Sequence, residues 1–117
     1  NRTLSEGQVE GGAQMSLGQA LFEEISYDAK GRVKTKNFSK YHIINAPDMP
    51  RMRSIFVEDG EPDGPDGVKS LGEIAAVAPA PAVANAVNYA LGSSFASYPI
   101  TPEKVVAYLE EKRKEGN

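Results

Sequence analysis

Glu73 is the acidic residue whose sequence neighbours best suit it to chemistry. It follows Gly72 directly and precedes the apolar run IAAVAPAPAV, so few polar neighbours solvate its carboxylate. A carboxylate that is partly shielded from water is suited to act as a general base. The same position, close to the start of an apolar segment, also suits an acid that stabilises the positive end of a helix. The residues alone leave both interpretations open, and the helix interpretation is the commoner one.

Gln8 is the second candidate for a functional side chain. Its amide can both donate and accept hydrogen bonds, and the sequence EGG follows at positions 10–12. Glycine lets a ligand approach the backbone closely. Gln8 is therefore interpreted either as a turn residue or as a ligand contact.

The acidic stretch DGEPDGPDG at positions 59–67 has some features of a calcium-binding loop. With Asp59 as the first ligand, Glu61, Asp63 and Gly64 fall at fitting positions, but the twelfth position is Ser70, where a bidentate glutamate is needed. We interpret the stretch as a solvated acidic turn. Its acidity and the missing lysine and hydroxyl spacing also exclude a P-loop.

Composition excludes several other classes of site. The 117 residues include no cysteine and only one histidine, His42, so the chain has no thiolate for zinc or an iron–sulfur cluster. His42 is predicted to be a hydrogen-bonded strand residue at a sheet surface. The net charge of −3 comes without a basic stripe, which argues against nucleic acid as a ligand.

The first half of the chain is predicted to form a helix and a small antiparallel sheet. Apolar residues at helical spacing favour a helix over residues 11–24, despite its glycines. A turn at residues 28–31 separates two runs typical of a hairpin, and residues 55–57 are the centre of a short strand candidate. The apolar residues of the hairpin runs are Tyr27, Val33, Phe38 and Tyr41.

The second half is predicted to form two helices. Apolar positions from 77 to 91 mark the first, with Pro79 and Pro81 tolerable only in its first turn and Gly92 placed to end it. The second begins after Thr101 as N-cap with Pro102 at the first helical position. The expected fold class is α+β, a single unit over residues 1–117 with a helix against a small antiparallel sheet and two C-terminal helices.

The order of several motifs resembles that of a known enzyme family. The segments GQVEGGAQMSLGQALFEEISYD, NFSKYHIINAPDMP, GPDGVKSLGE, APAPAVANAVNYALG and YPITPEKV follow one another as in the C-terminal end of the molybdenum-binding subunit of the xanthine dehydrogenase and aldehyde oxidoreductase family. The family motif Gly-Ala-Lys-Gly-Val-Gly-Glu is GVKSLGE here. It keeps Gly67, Lys69, Gly72 and Glu73 and departs at Ser70 and Leu71, which is closer to the purine-hydroxylating members.

The resemblance implies roles for several residues. In the family, the glutamate of this motif is the catalytic base, which carries over to Glu73, and the glutamine of GQVEGG contacts the pterin cofactor, which carries over to Gln8. Backbone at Lys69, Ser70 and Gly72 is expected to pass the same cofactor. No residue of this chain is expected to bind the metal directly.

The resemblance also implies cofactors and partners that this chain lacks. A complete enzyme is expected to need molybdopterin, the remaining molybdopterin-binding segment, an iron–sulfur subunit and a flavin subunit carrying FAD, with NAD or a similar carrier as final acceptor. The expected reaction is hydroxylation of a purine or another N-heterocycle with water as oxygen source. The alternatives are oxidation of an aldehyde, nicotinate or carbon monoxide, or a non-catalytic structural or assembly role.

Two further expectations concern the cellular location of the chain and its association with other copies. The first residues, NRTLSEGQVEGG, contain no apolar signal core, and we expect no uninterrupted apolar run long enough to cross a bilayer, which favours the cytoplasm. A piece of a larger fold keeps faces meant for burial, so self-association of the isolated chain is also expected.

Overall fold

The computed structural model describes residues 1–116 and is organised around one long helix. Helix α1 spans Arg2–Leu21, helix α2 Pro79–Leu91 and helix α3 Pro102–Glu115. Short 3-10 turns lie at Ala46–Asp48, Pro65–Gly67 and Glu73–Ala76. We call the last of these the Glu73 turn. Helix α1 packs against both α2 and the Glu73 turn, and the site described below lies between α1 and that turn.

Helix α1 begins nine residues earlier than the predicted helix at residues 11–24. The Asn1 side chain caps it by accepting a hydrogen bond of 3.2 Å from the Leu4 amide, and Arg2 pairs with Glu6 at 3.0 Å. Its glycines each cost about 1 kcal/mol relative to alanine, which is why sequence propensity placed the start too late. Packing against the rest of the chain compensates for that cost, because Ser16 and Ala20 are buried.

Helices α2 and α3 confirm the predictions made from their end signals. Pro79 is the first residue of α2, and Gly92 ends it with a left-handed φ of 61°. Thr101 caps α3, and Pro102 takes its first position. Local chemistry at helix ends acts over a few residues, so it can be recognised without the tertiary structure.

The predicted α+β class is wrong for the described residues. Residues 1–116 contain no strand, and the hairpin is reduced to one isolated antiparallel bridge between Tyr27 and Val33. The Asp28 carboxylate closes the turn by accepting hydrogen bonds from the Lys30 and Arg32 amides at 2.8 and 2.9 Å. A two-stranded pair is marginal without a third strand or a packed face, and here the pairing does not extend.

The strand predicted around residues 55–57 is also wrong, because no strand of the described residues pairs with it. Residues 53–59 are irregular, and Ile55 and Val57 are 74% and 86% exposed. Apolar β-branched residues favour a strand only when a neighbouring strand or a core covers them. His42, predicted to be a strand residue, lies instead in an exposed irregular segment beside Phe38. By contrast, the predicted acidic turn at 59–67 is confirmed as non-repetitive backbone with a short 3-10 turn.

Hydrogen bonds attach α3 to the rest of the chain at the residue pair before it and at the end of α2. The Ile100 amide donates to the Ala20 carbonyl at 2.7 Å. The Tyr108 hydroxyl donates to the Gly92 carbonyl at 2.8 Å, and Lys112 donates to the Leu91 carbonyl at 2.8 Å. The last two of these bonds also satisfy carbonyl groups at the end of α2, which the helix itself leaves unpaired.

The described chain is too extended for a closed domain of its length. Its radius of gyration is 18.5 Å, whereas a compact domain of this size has about 13 Å. The buried apolar side chains are few and mostly small: Ala20, Ile44, Ala80, Ala84 and Ile100. Large apolar side chains such as Phe38 and Tyr89 are 80% and 92% exposed. The chain therefore leaves apolar surface that its own fold does not cover.

One apolar segment meets the length and composition expected of a membrane span. It covers Glu73–Leu91, has a mean hydropathy of 1.3 and is 11% buried. The backbone is not one continuous α-helix, because the Glu73 turn ends at Ala76 and α2 begins at Pro79. The 13 residues of α2 extend for only about 20 Å, less than the hydrocarbon core of about 30 Å.

The cap of α3 provides a test of local stability. The Thr101 hydroxyl accepts a bond from the Lys104 amide at 3.4 Å. Replacing Thr101 with alanine should cost about 1 kcal/mol and lower the amide-exchange protection of Lys104 about fivefold. Thr101→Ser keeps the hydroxyl and is the matched control. An equal loss of protection in both variants would show that the hydroxyl is not the cause.

The same cap predicts a pH dependence. The Thr101 hydroxyl, followed by the backbone amide of Glu103, holds the pKa of the Glu103 carboxyl below its usual value. A lowered pKa means that ionised Glu103 stabilises the folded state above the ordinary carboxyl pKa of about 4.3. This contribution is lost as the pH falls through the lowered pKa, so the difference between Thr101→Ala and Thr101→Ser should shrink in acid.

Candidate functional site

A groove between α1 and the Glu73 turn brings together the two leading candidates. It has a volume of about 520 Å³, within the usual range for small-molecule sites. Its lining residues are Gly7, Gln8, Gly11, Gly12, Met15, Gly72, Glu73 and Ala76. Gln8 and Glu73 are distant in the sequence, so their presence in one groove is a product of the fold.

The wall formed by α1 is one stripe along the helix. Its positions 7, 8, 11, 12 and 15 recur at the three- and four-residue spacings that share a helix face. A Cβ atom added to Gly7 or Gly11 would meet no atom within 4 Å. Packing within the described chain does not require glycine at these two positions, and their missing side chains keep the groove open.

Gly12 has a different role, because it allows the Glu73 turn to approach α1. A Cβ atom on Gly12 would lie 2.7 Å from the Ala75 Cβ and 3.2 Å from the Ala75 carbonyl carbon and the Ala76 nitrogen. The first of these separations is shorter than carbon atoms in real structures tolerate. Glycine at this position therefore determines how closely the two walls of the groove approach.

Glu73 does not cap a long helix. It is the first residue of a four-residue 3-10 turn, and α2 begins only at Pro79. The start of α2 is capped from outside, since the buried Ser16 hydroxyl of α1 accepts a hydrogen bond of 2.9 Å from the Ala80 amide. The helix interpretation of Glu73 is thereby weakened.

The Glu73 carboxylate is exposed at the groove. Within residues 1–116 it makes no hydrogen bond or ion pair, and Gly72 before it would meet no atom with an added Cβ. The partial shielding from water expected from its sequence neighbours is not provided by this chain. A shielding group would have to come from outside the described residues.

The groove includes some of the predicted cofactor contacts and not others. Gln8 and Gly72 line it, whereas Lys69 lies at a separate depression beside the acidic residues Glu58 and Asp59. Ser70 is exposed and lines neither. The prediction of cofactor contacts at Lys69 and Ser70 therefore has no support from the groove of this chain.

The sequence prediction did not name Gly7 or Met15 as groove residues, nor place Gly11 on one helix face with Gln8. The signal that could have found them is the spacing of Gly7 and Gly11 with Gln8, which places them on one face once the helix is extended back to Arg2. The predicted start at residue 11 excluded this possibility.

The marked pKa shifts lie outside the groove. Hydrogen bonds from the backbone and then the side chain of Arg32 lower the pKa of Asp28, which is part of the turn closure described above. The pKa of Tyr41 is raised, first by its 2.5 Å hydrogen bond to the Glu23 carboxylate and then by burial. Both groups stabilise local structure and neither approaches Glu73.

Comparison with known proteins identifies the family. Residues 1–50 match the family model described as the molybdopterin cofactor-binding domain. Over 106 residues, 90% of this chain, the sequence is 44% identical to the xanthine dehydrogenase molybdenum-binding subunit of Escherichia coli O157:H7. The chain belongs to the xanthine dehydrogenase and aldehyde oxidoreductase family. The resemblance seen in the sequence motifs is thus confirmed.

Other members of the family show the same likeness. The nicotine 6-hydroxylase large subunit of Paenarthrobacter nicotinovorans is 38% identical over 91% of this chain. The crystal structure of quinoline 2-oxidoreductase from Pseudomonas putida 86 superposes with a TM-score of 0.88 at 35% identity, over 95% of this chain. The chain spans only 13% to 14% of the length of these relatives. The uncovered apolar surface is what a segment of a larger family member would show.

The groove fits the molybdopterin cofactor of this domain family. Its volume of about 520 Å³ accommodates part of a pterin-sized ligand. The open positions at Gly7 and Gly11 allow a flat ring system to lie against the backbone, and the Gln8 amide offers a donor and an acceptor to it. Only one side of such a ligand would be covered by this chain.

Proposed function

We propose that this chain forms one wall of the molybdopterin site in a molybdenum hydroxylase of the xanthine dehydrogenase type. The observation that supports this most directly is the single groove holding Gln8, Gly72 and Glu73. The proposal places the chain as the C-terminal part of a molybdopterin-binding domain and makes it one component of an oxidoreductase. Neither cofactor binding nor turnover is expected of the chain without the rest of that subunit.

The α1 wall binds and orients the cofactor. The Gln8 amide would offer hydrogen bonds to the cofactor, and Gly7 and Gly11 would let it approach the backbone of α1 closely. When bound, the molybdenum cofactor supplies the two-electron oxidant for hydroxylation with water as the oxygen source. An amide suits this contact because it satisfies donors and acceptors without adding charge.

Glu73 acts as the general base. Conversion of a C–H bond to C–OH with water releases two protons and two electrons, so a proton acceptor is needed beside the water-derived oxygen. The free carboxylate of Glu73 accepts one proton at a carboxylate oxygen, which it can do because no cation or hydrogen-bond donor of residues 1–116 occupies it. Gly72 before it leaves space for the reactants.

The proposed substrate is an N-heterocycle. The relatives described above are named for xanthine, nicotine and quinoline, all of which contain ring nitrogen, at 44%, 38% and 35% identity. Ring nitrogen leaves the adjacent carbon electron-poor, which suits it to attack by oxygen. An aldehyde oxidoreductase molybdenum-binding subunit of Escherichia coli (strain K12) is 32% identical, so aldehyde oxidation is the second candidate.

The remaining components must be supplied by other segments or chains. The chain contains no cysteine, so iron–sulfur clusters that remove electrons must lie elsewhere. We propose an iron–sulfur subunit and a flavin subunit as partners, together with the rest of the molybdopterin-binding segment, and a cytoplasmic location for the complex.

The reaction can be tested with isotopically labelled water. The complete enzyme containing this chain would be assayed with xanthine, quinoline and benzaldehyde in H₂¹⁸O. We expect each heterocyclic product to gain one labelled oxygen, and kcat/KM for the better heterocycle to exceed that for benzaldehyde by at least about tenfold. A preference for benzaldehyde would favour the second candidate, and no labelled product from any substrate would contradict an enzymatic role.

A further inference from the structure

Helix α1 faces the segment that carries Glu73 at three levels. Gln8, Gly12 and Ser16 are spaced four residues apart, so they lie on one face of α1. Gln8 shares the groove with Glu73, Gly12 is packed against Ala75, and Ser16 binds the Ala80 amide. The segment from Glu73 to Ala80 thus runs along α1 in one register.

The contacts at Gly12 and at Ser16 restrain the segment in different ways. At Gly12 the restraint is steric, because a Cβ atom would approach the Ala75 Cβ to 2.7 Å. At Ser16 it is a hydrogen bond of 2.9 Å from a buried hydroxyl that is 2% exposed. Neither residue offers a charge or a proton to a reaction, so both must act through the position of other groups.

We propose that Gly12 and Ser16 are positioning residues that set the separation between Gln8 and Glu73. The inference rests on the proposed role of Glu73 as base. Glu73 lies two residues before Ala75, and its turn has only four residues. Displacement of Ala75 away from α1 therefore moves the carboxylate away from the cofactor wall. Catalytic groups misplaced by about 1 Å can lose about 100-fold in rate.

A pair of compensating substitutions tests the steric restraint in the complete enzyme. Gly12→Ala should lower kcat about 100-fold, while KM changes less than about threefold and the Glu73 turn exchanges its amides faster. Adding Ala75→Gly removes the clashing Cβ and should restore kcat to within about tenfold of the wild type. Ala75→Gly by itself loosens the backbone, so recovery in the double variant cannot come from greater general stability.

The hydrogen bond is tested separately. Ser16→Ala leaves the Ala80 amide without its acceptor, and its exchange should become about tenfold faster, with a fall in kcat in the same direction. Gln19→Ala, an exposed substitution on α1 away from the groove, is the control and should change neither. Unchanged kcat in both Gly12→Ala and Ser16→Ala would overturn the proposal.

The results also separate this inference from the proposed function. If Glu73→Gln leaves turnover intact, the base assignment fails whatever the positioning variants do. If Glu73→Gln abolishes turnover but Ala75→Gly fails to rescue Gly12→Ala, the positioning inference alone fails. Where Gly12→Ala prevents assembly of the complex, recovery of assembly and kcat in the double variant supports the inference, and a second failure overturns it.

Discussion

Replacing Glu73 with glutamine is expected to lower kcat/KM of the complete enzyme by about 1,000-fold while its molybdenum content stays unchanged. A general base typically contributes about 10²- to 10⁴-fold to a reaction. Glutamine has nearly the same size and shape as glutamate, but its neutral amide cannot accept the proton. Because Glu73 is exposed and makes no hydrogen bond within residues 1–116, its replacement should not disturb the described fold.

The measurements are steady-state kinetics with metal analysis of the same preparation. Glu24→Gln is the matched control, since Glu24 is exposed, follows the end of α1 at Leu21 and lies outside the groove. Full turnover by Glu73→Gln with its metal loaded would contradict the base assignment.

Replacing Gly11 with leucine is expected to remove most of the cofactor without weakening the fold. A Cβ atom added at Gly11 would meet no atom of the described chain within 4 Å, and Gly11 lines the groove, so a leucine side chain would extend into it. Leucine is also about 0.8 kcal/mol more favourable than glycine inside a helix. Forcing the cofactor against the added side chain costs about 1 to 3 kcal/mol, which corresponds to about 5- to 150-fold weaker retention.

Molybdenum per subunit and thermal stability should therefore change independently. The variant is expected to hold less than about a tenth of the wild-type molybdenum, with an unfolding temperature of the cofactor-free protein equal to or above that of the wild type. Gln19→Leu adds the same side chain to an exposed position of α1 outside the groove and should retain the metal. Normal metal content in Gly11→Leu would show that the cofactor does not occupy this groove.

Interactions within a few residues made the helix ends predictable. Pro79, Gly92 and Thr101 act on backbone groups beside them, and the structure confirms each of them at the predicted helix end. The start of α1 was misplaced because its glycines disfavour a helix locally, whereas burial of Ser16 and Ala20 against the rest of the chain outweighs that preference.

The strand predictions failed because strands need partners from outside the segment. Residues 53–59 have strand composition, but no neighbouring strand of the described chain covers Ile55 and Val57. The chain spans 14% of the related molybdenum-binding subunit, and the described residues leave both side chains exposed. These residues therefore favour a strand, but the described chain supplies no neighbouring strand to pair with them.

By itself, the sequence determined the family, the ends of α2 and α3 and the choice of Gln8 and Glu73, because motifs and helix caps are short-range patterns. Only the tertiary structure decided that Gln8, Gly72 and Glu73 share one groove while Lys69 and Ser70 lie outside it. It also assigned the cap of α2 to Ser16 rather than to Glu73. These outcomes depend on how closely α1 and the Glu73 turn pack, and that distance is set by atoms far apart in the chain.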